Sequence, residues 1–164
     1  MKDAHYMAIA ERAMAQIQKG AFLTVAVDGK RNTMTIGWAT IGFCWRKPVF
    51  MVAVRDSRHT FTLMEKAPDF TVSVPATHMK DEIMFCGTKS GRDVDKFAAL
   101  GIAAAAARRV ASPIIDISGI HLECRTILKT AMDPALMADD LQPLYPDKDY
   151  HTLYFGEIVA CYER

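Results

Sequence analysis

The chain has 164 residues, enough for one domain with a real core and too few for two ordinary ones. Its 20 Lys and Arg residues balance 19 Asp and Glu residues, which argues against a nucleic-acid binder and for a small-molecule or protein partner. Cys44, Cys86, Cys124 and Cys161 form no Cys-x-x-Cys pair and have no His cluster, so no metal site is expected and the thiols read as buried hydrophobes of a cytosolic protein.

The first six residues are polar and the segment after them is amphipathic, so no signal peptide is expected; no apolar run reaches the ~18 residues of a membrane span. Met7, Ala10, Met14 and Ile17 recur at helical spacing, predicting a helix over 3–18 stopped by Gly20. Ala21 to Val27 reads as a strand buried on both faces, with Asp28-Gly29 as a hairpin turn. A second strand is expected from about Thr33 to Cys44, a break at Lys47-Pro48, and a core strand over 49–54. Arg55 to His59 is a polar turn. A short helix over 60–66 follows, with Thr62 and Glu65 spaced as a capping box and Pro68 as its stop.

Phe70, Val72 and Val74 alternate with Thr71 and Ser73, predicting a half-buried strand that ends at Pro75. Residues 77–88 read as irregular or briefly helical. Ser90 to Asp93 matches a second capping box for a helix ending at Gly101, and the alanine run over 103–107 gives no firm assignment. Ile120 to Lys129 alternates cleanly, with its polar side expected to face water. Residues 133–148, rich in proline and aspartate, read as a long surface loop, and a last strand over about 150–161 carries a likely bulge at Gly156. The sum is a single domain over 1–164, mostly β with flanking short helices, arranged as a small antiparallel barrel.

The stretch from Asn32 to Pro75 holds most of the candidate chemistry. Asn32, Thr35 and Trp38 offer polar groups and an aromatic wall, and Arg58 and Thr60 stand where a buried strand meets a helix start, a place that suits an anion. Such an order can hold a flat aromatic ligand with a phosphate tail. Strand periodicity puts Asn32 and Trp38 on one face and Thr35 on the other unless the backbone twists locally.

Four blocks stand in order along the chain: Asn32-x-Met-Thr-x-x-Trp38; Lys47-Pro48 through Arg58-x-Thr60; Ser90-Gly-Arg92 with Asp95-Lys96-Phe97; and His151-x-Leu153 with Gly156-Glu157. On these blocks the sequence resembles the flavin reductase-like, FMN-binding split-barrel family, and within it the flavoredoxin branch, from Gly20 to about Val159. The resemblance implies an FMN-binding split β-barrel, a homodimer with non-covalent FMN near the subunit interface, and redox chemistry carried by the flavin.

It also implies roles. Arg58 and Thr60 would meet the phosphate, Lys96 the ribityl chain, phosphate or ring edge, and Ser90 would be a further cofactor-binding residue. Asn32, Thr35 and Trp38 would meet the ring. His151 would donate to the flavin or shuttle a proton, and Phe155 would be a wall. No protein acid–base pair is required. The expected function is a flavin-dependent oxidoreductase passing electrons from NADH, NADPH or a reduced protein donor to an acceptor. An electron carrier with no nicotinamide activity is the alternative, and a flavin-binding module without turnover the third reading. No Gly-x-Gly-x-x-Gly follows a strand, so a nucleotide would have to stack directly on the flavin. Many relatives continue past the Gly-Glu strand, whereas this sequence stops at Arg164, and its loop over 133–148 is longer than a plain hairpin connection; that loop is expected to cover the flavin of the partner subunit or meet a redox partner.

Overall fold

In the computed structural model, which describes residues 2–164, the strand expected from Thr33 to Cys44 is two strands that belong to opposite ends of one sheet. In chain order the elements are β1 (Lys2–Asp3), α1 (Tyr6–Ile17), β2 (Ala21–Val27), β3 (Lys30–Ile36), β4 (Ala39–Cys44), β5 (Lys47–Arg55), α2 (His59–Met64), β6 (Asp69–Pro75), α3 (Lys80–Thr88), α4 (Lys96–Leu100), β7 (Ala104–Ala105), β8 (Ile114–Ile115), β9 (Gly119–Ala131) and β10 (His151–Glu163). The main sheet runs β3-β2-β6-β9-β10-β5-β4, every neighbour antiparallel, with β1 added on β10. No ladder joins β3 to β4 among the described residues, so the sheet curls without closing, and the fold is a split antiparallel barrel.

The split follows from Gly37 and Trp38, which end β3 and carry the chain across the open seam before β4 starts on the far edge. Asn32 and Trp38 therefore do not share a strand face. Two hairpins use left-handed turn residues: Asp28-Gly29 as expected, and Trp45-Arg46 between β4 and β5, with φ of 51° and 59°. Pro48 does not break the chain but lies within β5, opposite Phe43 on the edge strand. The bulge at Gly156 is real, and a Cβ there would stand 2.7 Å from both Cys124 and Phe70, so the strand passes too close to its neighbours for any side chain.

The barrel interior is apolar. Leu23, Val25, Phe50, Val52, Phe70, Val72, Leu122 and Tyr154 fill it, and α1 closes one end with Ile9, Ala13 and Ile17. A smaller cluster of Phe22, Cys86, Phe97 and Ile115 seats α3 and α4 on the outside of β2. Neither expected capping box forms. Thr62 donates to the carbonyl of His59 rather than capping α2, and Asp95, not Ser90, caps α4 by accepting from the N–H groups of Phe97 and Ala98.

The polar faces of β6 and β9 are the main departure from expectation. Residues 103–118 run across them as an extended strap, including the β7-β8 ladder, and bury what periodicity alone would expose. Thr71 donates to the carbonyl of Pro113. Glu123, fully buried, accepts from the N–H groups of Arg108 and Arg109 and from the Tyr162 hydroxyl. Asp69 likewise accepts from the N–H groups of Ala111 and Ser112. Each polar side chain is buried together with its partners, which is the condition for burying it at all.

Candidate functional site

The open seam of the barrel carries two adjoining cavities that share Met34 and Arg58. The first, about 110 Å³, lies between the turn at 57–60 and residues 86–92. Asn32 and Thr60 are 5% and 1% exposed, and Asn32 Nδ2 donates to Thr60 Oγ1 at 2.8 Å, leaving the Thr60 hydroxyl hydrogen to donate elsewhere. Lys96 is 3% exposed, its Nζ donating to the Cys86 carbonyl at 2.7 Å; burial and the nearby Arg58 hold its pKa below the ordinary lysine value. Arg58 Nη1 donates to the Gly87 carbonyl at 3.1 Å, and Arg92 Nη1 to the Ser57 carbonyl at 3.0 Å. Ser90 Oγ accepts from the N–H of Arg92, which shapes the loop around Gly91.

His59 registers the resulting field. Its pKa is lowered, first by burial and then by Arg92, Lys96 and Lys30. A Cβ on Gly91 would fall 2.2 Å from Asn32 Oδ1, so the loop closes on Asn32 with room for hydrogen only. Three cations, a hydroxyl donor and a glycine-tight loop around one small cavity make a cradle suited to a phosphate.

The second cavity, about 190 Å³, is lined by the end of β3, Gly37, Trp38, Ala53, Arg55 and His151. The Trp38 ring stands 4.9 Å from that of His151 and is 46% exposed, so one face is free for a flat ligand. His151 is buried. Its pKa is pushed down to about 4, first by burial and then by Arg55, with Asp149 opposing and Arg58 adding to the depression, so the imidazole is neutral near pH 7. Tyr145 Oη lies 2.8 Å from His151 Nδ1.

The sequence points Arg58 and Thr60 to the phosphate and Asn32 to the ring with Trp38; the structure gathers Arg58, Thr60, Ser90 and Lys96 at the first cavity and puts Asn32 there with them, bonded to Thr60 and away from Trp38. Trp38 and His151 meet at the second. Thr35 borders that cavity, but its hydroxyl donates to the carbonyl of Ile83 and ties β3 to α3, so it supplies backbone rather than side chain to a ligand. Phe155 lines neither cavity within the chain and packs edge-on against Trp45, 5.7 Å away, on the outer face of the sheet. Residues the sequence did not single out as site residues are Arg55, Gly91, Arg92 and Tyr145. Gly91 and Arg92 stood in the Ser-Gly-Arg block and were legible there. Arg55 and Tyr145 carried no local signal, since what joins them is the return of the long loop onto β5.

Comparison with known proteins gives a match over residues 14–164 to the family described as "Flavin reductase like domain". An uncharacterized protein of Archaeoglobus fulgidus is 26% identical over 138 residues, spanning 84% of this chain and 68% of that protein. Among solved structures, a flavoredoxin from Methanosarcina acetivorans superposes with a TM-score of 0.71 at 25% identity, covering 88% of this chain and 68% of the other. An FMN-binding protein from Thermus thermophilus, with bound 1-cyclohex-2-enone, superposes with a TM-score of 0.68 at 26% identity, covering 88% and 69%.

Proposed function

The chain belongs to the flavin reductase-like family, and from that premise we propose that its two seam cavities hold one FMN non-covalently and that the protein passes electrons through it, from NADH, NADPH or a reduced protein donor to an acceptor. The observation that carries this reading is the adjacency of the two cavities across Met34 and Arg58: a basic cradle at one end and an aromatic, open pocket at the other match a phosphate tail and a flat ring on one molecule. When bound, FMN supplies the electron chemistry. The chain's own residues bind and orient it. Thr60 and Ser90 offer hydroxyls, Arg58, Arg92 and Lys96 neutralise the phosphate, Trp38 covers a ring face, and His151 presents a neutral imidazole to the ring edge.

The second cavity opens to solvent, so a ring seated against Trp38 keeps its other face approachable, which supports a reductase that takes its donor by direct stacking. The same exposure serves an electron carrier that docks a protein, and that is the second reading. The active unit is a homodimer in this proposal. His151, Leu153 and Phe155 of β10 share the outer sheet face with Met51, Ala53 and Arg55 of β5. Trp45 and Leu128, 57% and 41% exposed, extend it as an apolar surface continuous with the rim of the second cavity. A second copy on that face buries the surface and walls the ring. The unpaired state of all four cysteines is consistent with work in the cytoplasm.

The deciding experiment is visible absorption of the purified protein with added FMN, followed anaerobically on adding NADH or NADPH. Bound flavin that bleaches quickly supports the reductase. Bleaching only by dithionite or a reduced protein establishes the carrier. Failure to bind FMN overturns the reading.

A further inference from the structure

Tyr145 belongs to the connection between β9 and β10, most of which is exposed, yet it is itself 5% exposed. Its ring meets His151 edge-on at 5.5 Å, Trp38 at 6.3 Å and Tyr150 at 5.1 Å. The Arg55 guanidinium lies 5.1 Å over the same ring and donates to the carbonyls of Asp149 and Leu144, so β5 clamps the loop from both sides of Tyr145. The loop is thereby held onto the second cavity by the residue that touches His151.

The hydroxyl of Tyr145 has one hydrogen and two acceptors within reach: His151 Nδ1 at 2.8 Å and Met132 Sδ at 3.4 Å. The hydroxyl can donate to Nδ1, or accept from an Nδ1–H while donating to the thioether; a bare imidazole nitrogen is a far better acceptor than a thioether, and it is nearer, which favours the first arrangement. An Nδ1 that accepts carries no hydrogen. The single hydrogen of the neutral ring is then on Nε2, which has no hydrogen-bond partner among the described residues, while the ring borders the second cavity. The same logic holds in the barrel wall, where His121 Nε2 donates to the Ile117 carbonyl and Nδ1 accepts from Ser73.

We propose that Tyr145 is a positioning residue: it fixes His151 in the Nε2–H tautomer, so that the imidazole is a hydrogen-bond donor to an electron-rich edge atom of a ring held in the second cavity. The donor role rests on the flavin reading above; the tautomer does not. The charged and titratable groups facing the imidazole are Arg55 from β5, Arg58 from the turn, and Tyr145 and Asp149 from the loop. Burial first, and then the two cations against the opposing Asp149, disfavour a second proton, which keeps the donor neutral and the tautomer the controlling variable.

The test begins with the wild-type protein labelled with 15N-histidine and read by long-range 15N–1H NMR at pH 6 to 8. A single Nε2–H signature for His151 is expected, and an Nδ1–H signature overturns the proposal whatever the variants do. Tyr145→Phe keeps the ring packing and removes only the hydroxyl. Both tautomers should then appear, and FMN affinity should fall about five- to tenfold, the scale of one hydrogen bond. In a His151→Gln background, whose side-chain amide donates without any tautomer to fix, adding Tyr145→Phe should change FMN affinity by less than about twofold. An equal loss in both backgrounds makes Tyr145 a packing residue and overturns the proposal. An Nε2–H signature in a protein that binds no FMN overturns the flavin reading and, with it, the donor role.

Discussion

A methyl group on residue 91 would stand 2.2 Å from Asn32 Oδ1, and Asn32 could clear it only by leaving Thr60. Gly91→Ala should therefore cost about 1–3 kcal/mol of stability, the usual scale of overpacking, read as a lower urea midpoint, and should weaken FMN binding as well because the displaced Asn32 no longer orients the Thr60 hydroxyl. Arg58→Ala and Thr60→Ala should each cost about 1–3 kcal/mol of FMN affinity, the scale of charge-assisted hydrogen bonds, by fluorescence quenching or calorimetry. Unchanged affinity in both would remove the phosphate assignment. His151 adds a pH dependence. Its folded pKa of about 4 lies below the ordinary histidine value of ~6.5, so between these the unfolded chain binds more protons. Its contribution is fully present above pH 6.5 and is lost as pH falls toward 4. The urea midpoint should drop through that window in the wild type, and drop less in His151→Gln.

At the scale of elements, the strap over 103–118 shows what a side chain can hold together. Glu123→Ala strands three donors, the N–H groups of Arg108 and Arg109 and the Tyr162 hydroxyl. It should destabilise by roughly 2–4 kcal/mol in urea unfolding, and trypsin should cut faster after Arg108 and Arg109. Periodicity found β2, β5, β6, β9 and β10 because each carries an apolar inner face that must be buried whatever covers the other side. It misjudged the outer faces of β6 and β9, where Thr71, Ser73, His121 and Glu123 look solvent-facing until a sequence-distant strap arrives with matching hydrogen-bond groups. The β3–β4 division escaped it for a related reason: nothing local distinguishes Gly37-Trp38 in a long strand from Gly37-Trp38 crossing a seam. The cradle residues were readable because Arg58, Thr60 and the Ser90-Gly-Arg92 loop stand in short, ordered blocks. Tyr145 was not, since its role depends on where the loop lands.

For the whole molecule, the outer face of β5 and β10 predicts assembly. Leu153→Asp places a charge amid Met51, Phe155 and Leu128 without entering the barrel interior. The unsubstituted protein should scatter light as a dimer of about twice the chain mass and the variant as a monomer, with FMN bound more weakly by the variant. The split itself has a dynamic consequence. A barrel whose edge strands β3 and β4 lack a ladder between them can breathe along that line, and the cavities lie across it, with Asn32 and Trp38 on one lip and Ala53 and His151 on the other. A flavin seated there is a stitch across the gap. Amide hydrogen exchange should slow on adding FMN over residues 30–44 and barely change in β6 and β9, and the opening rate of the unstitched lips sets the upper limit on how quickly the flavin can leave.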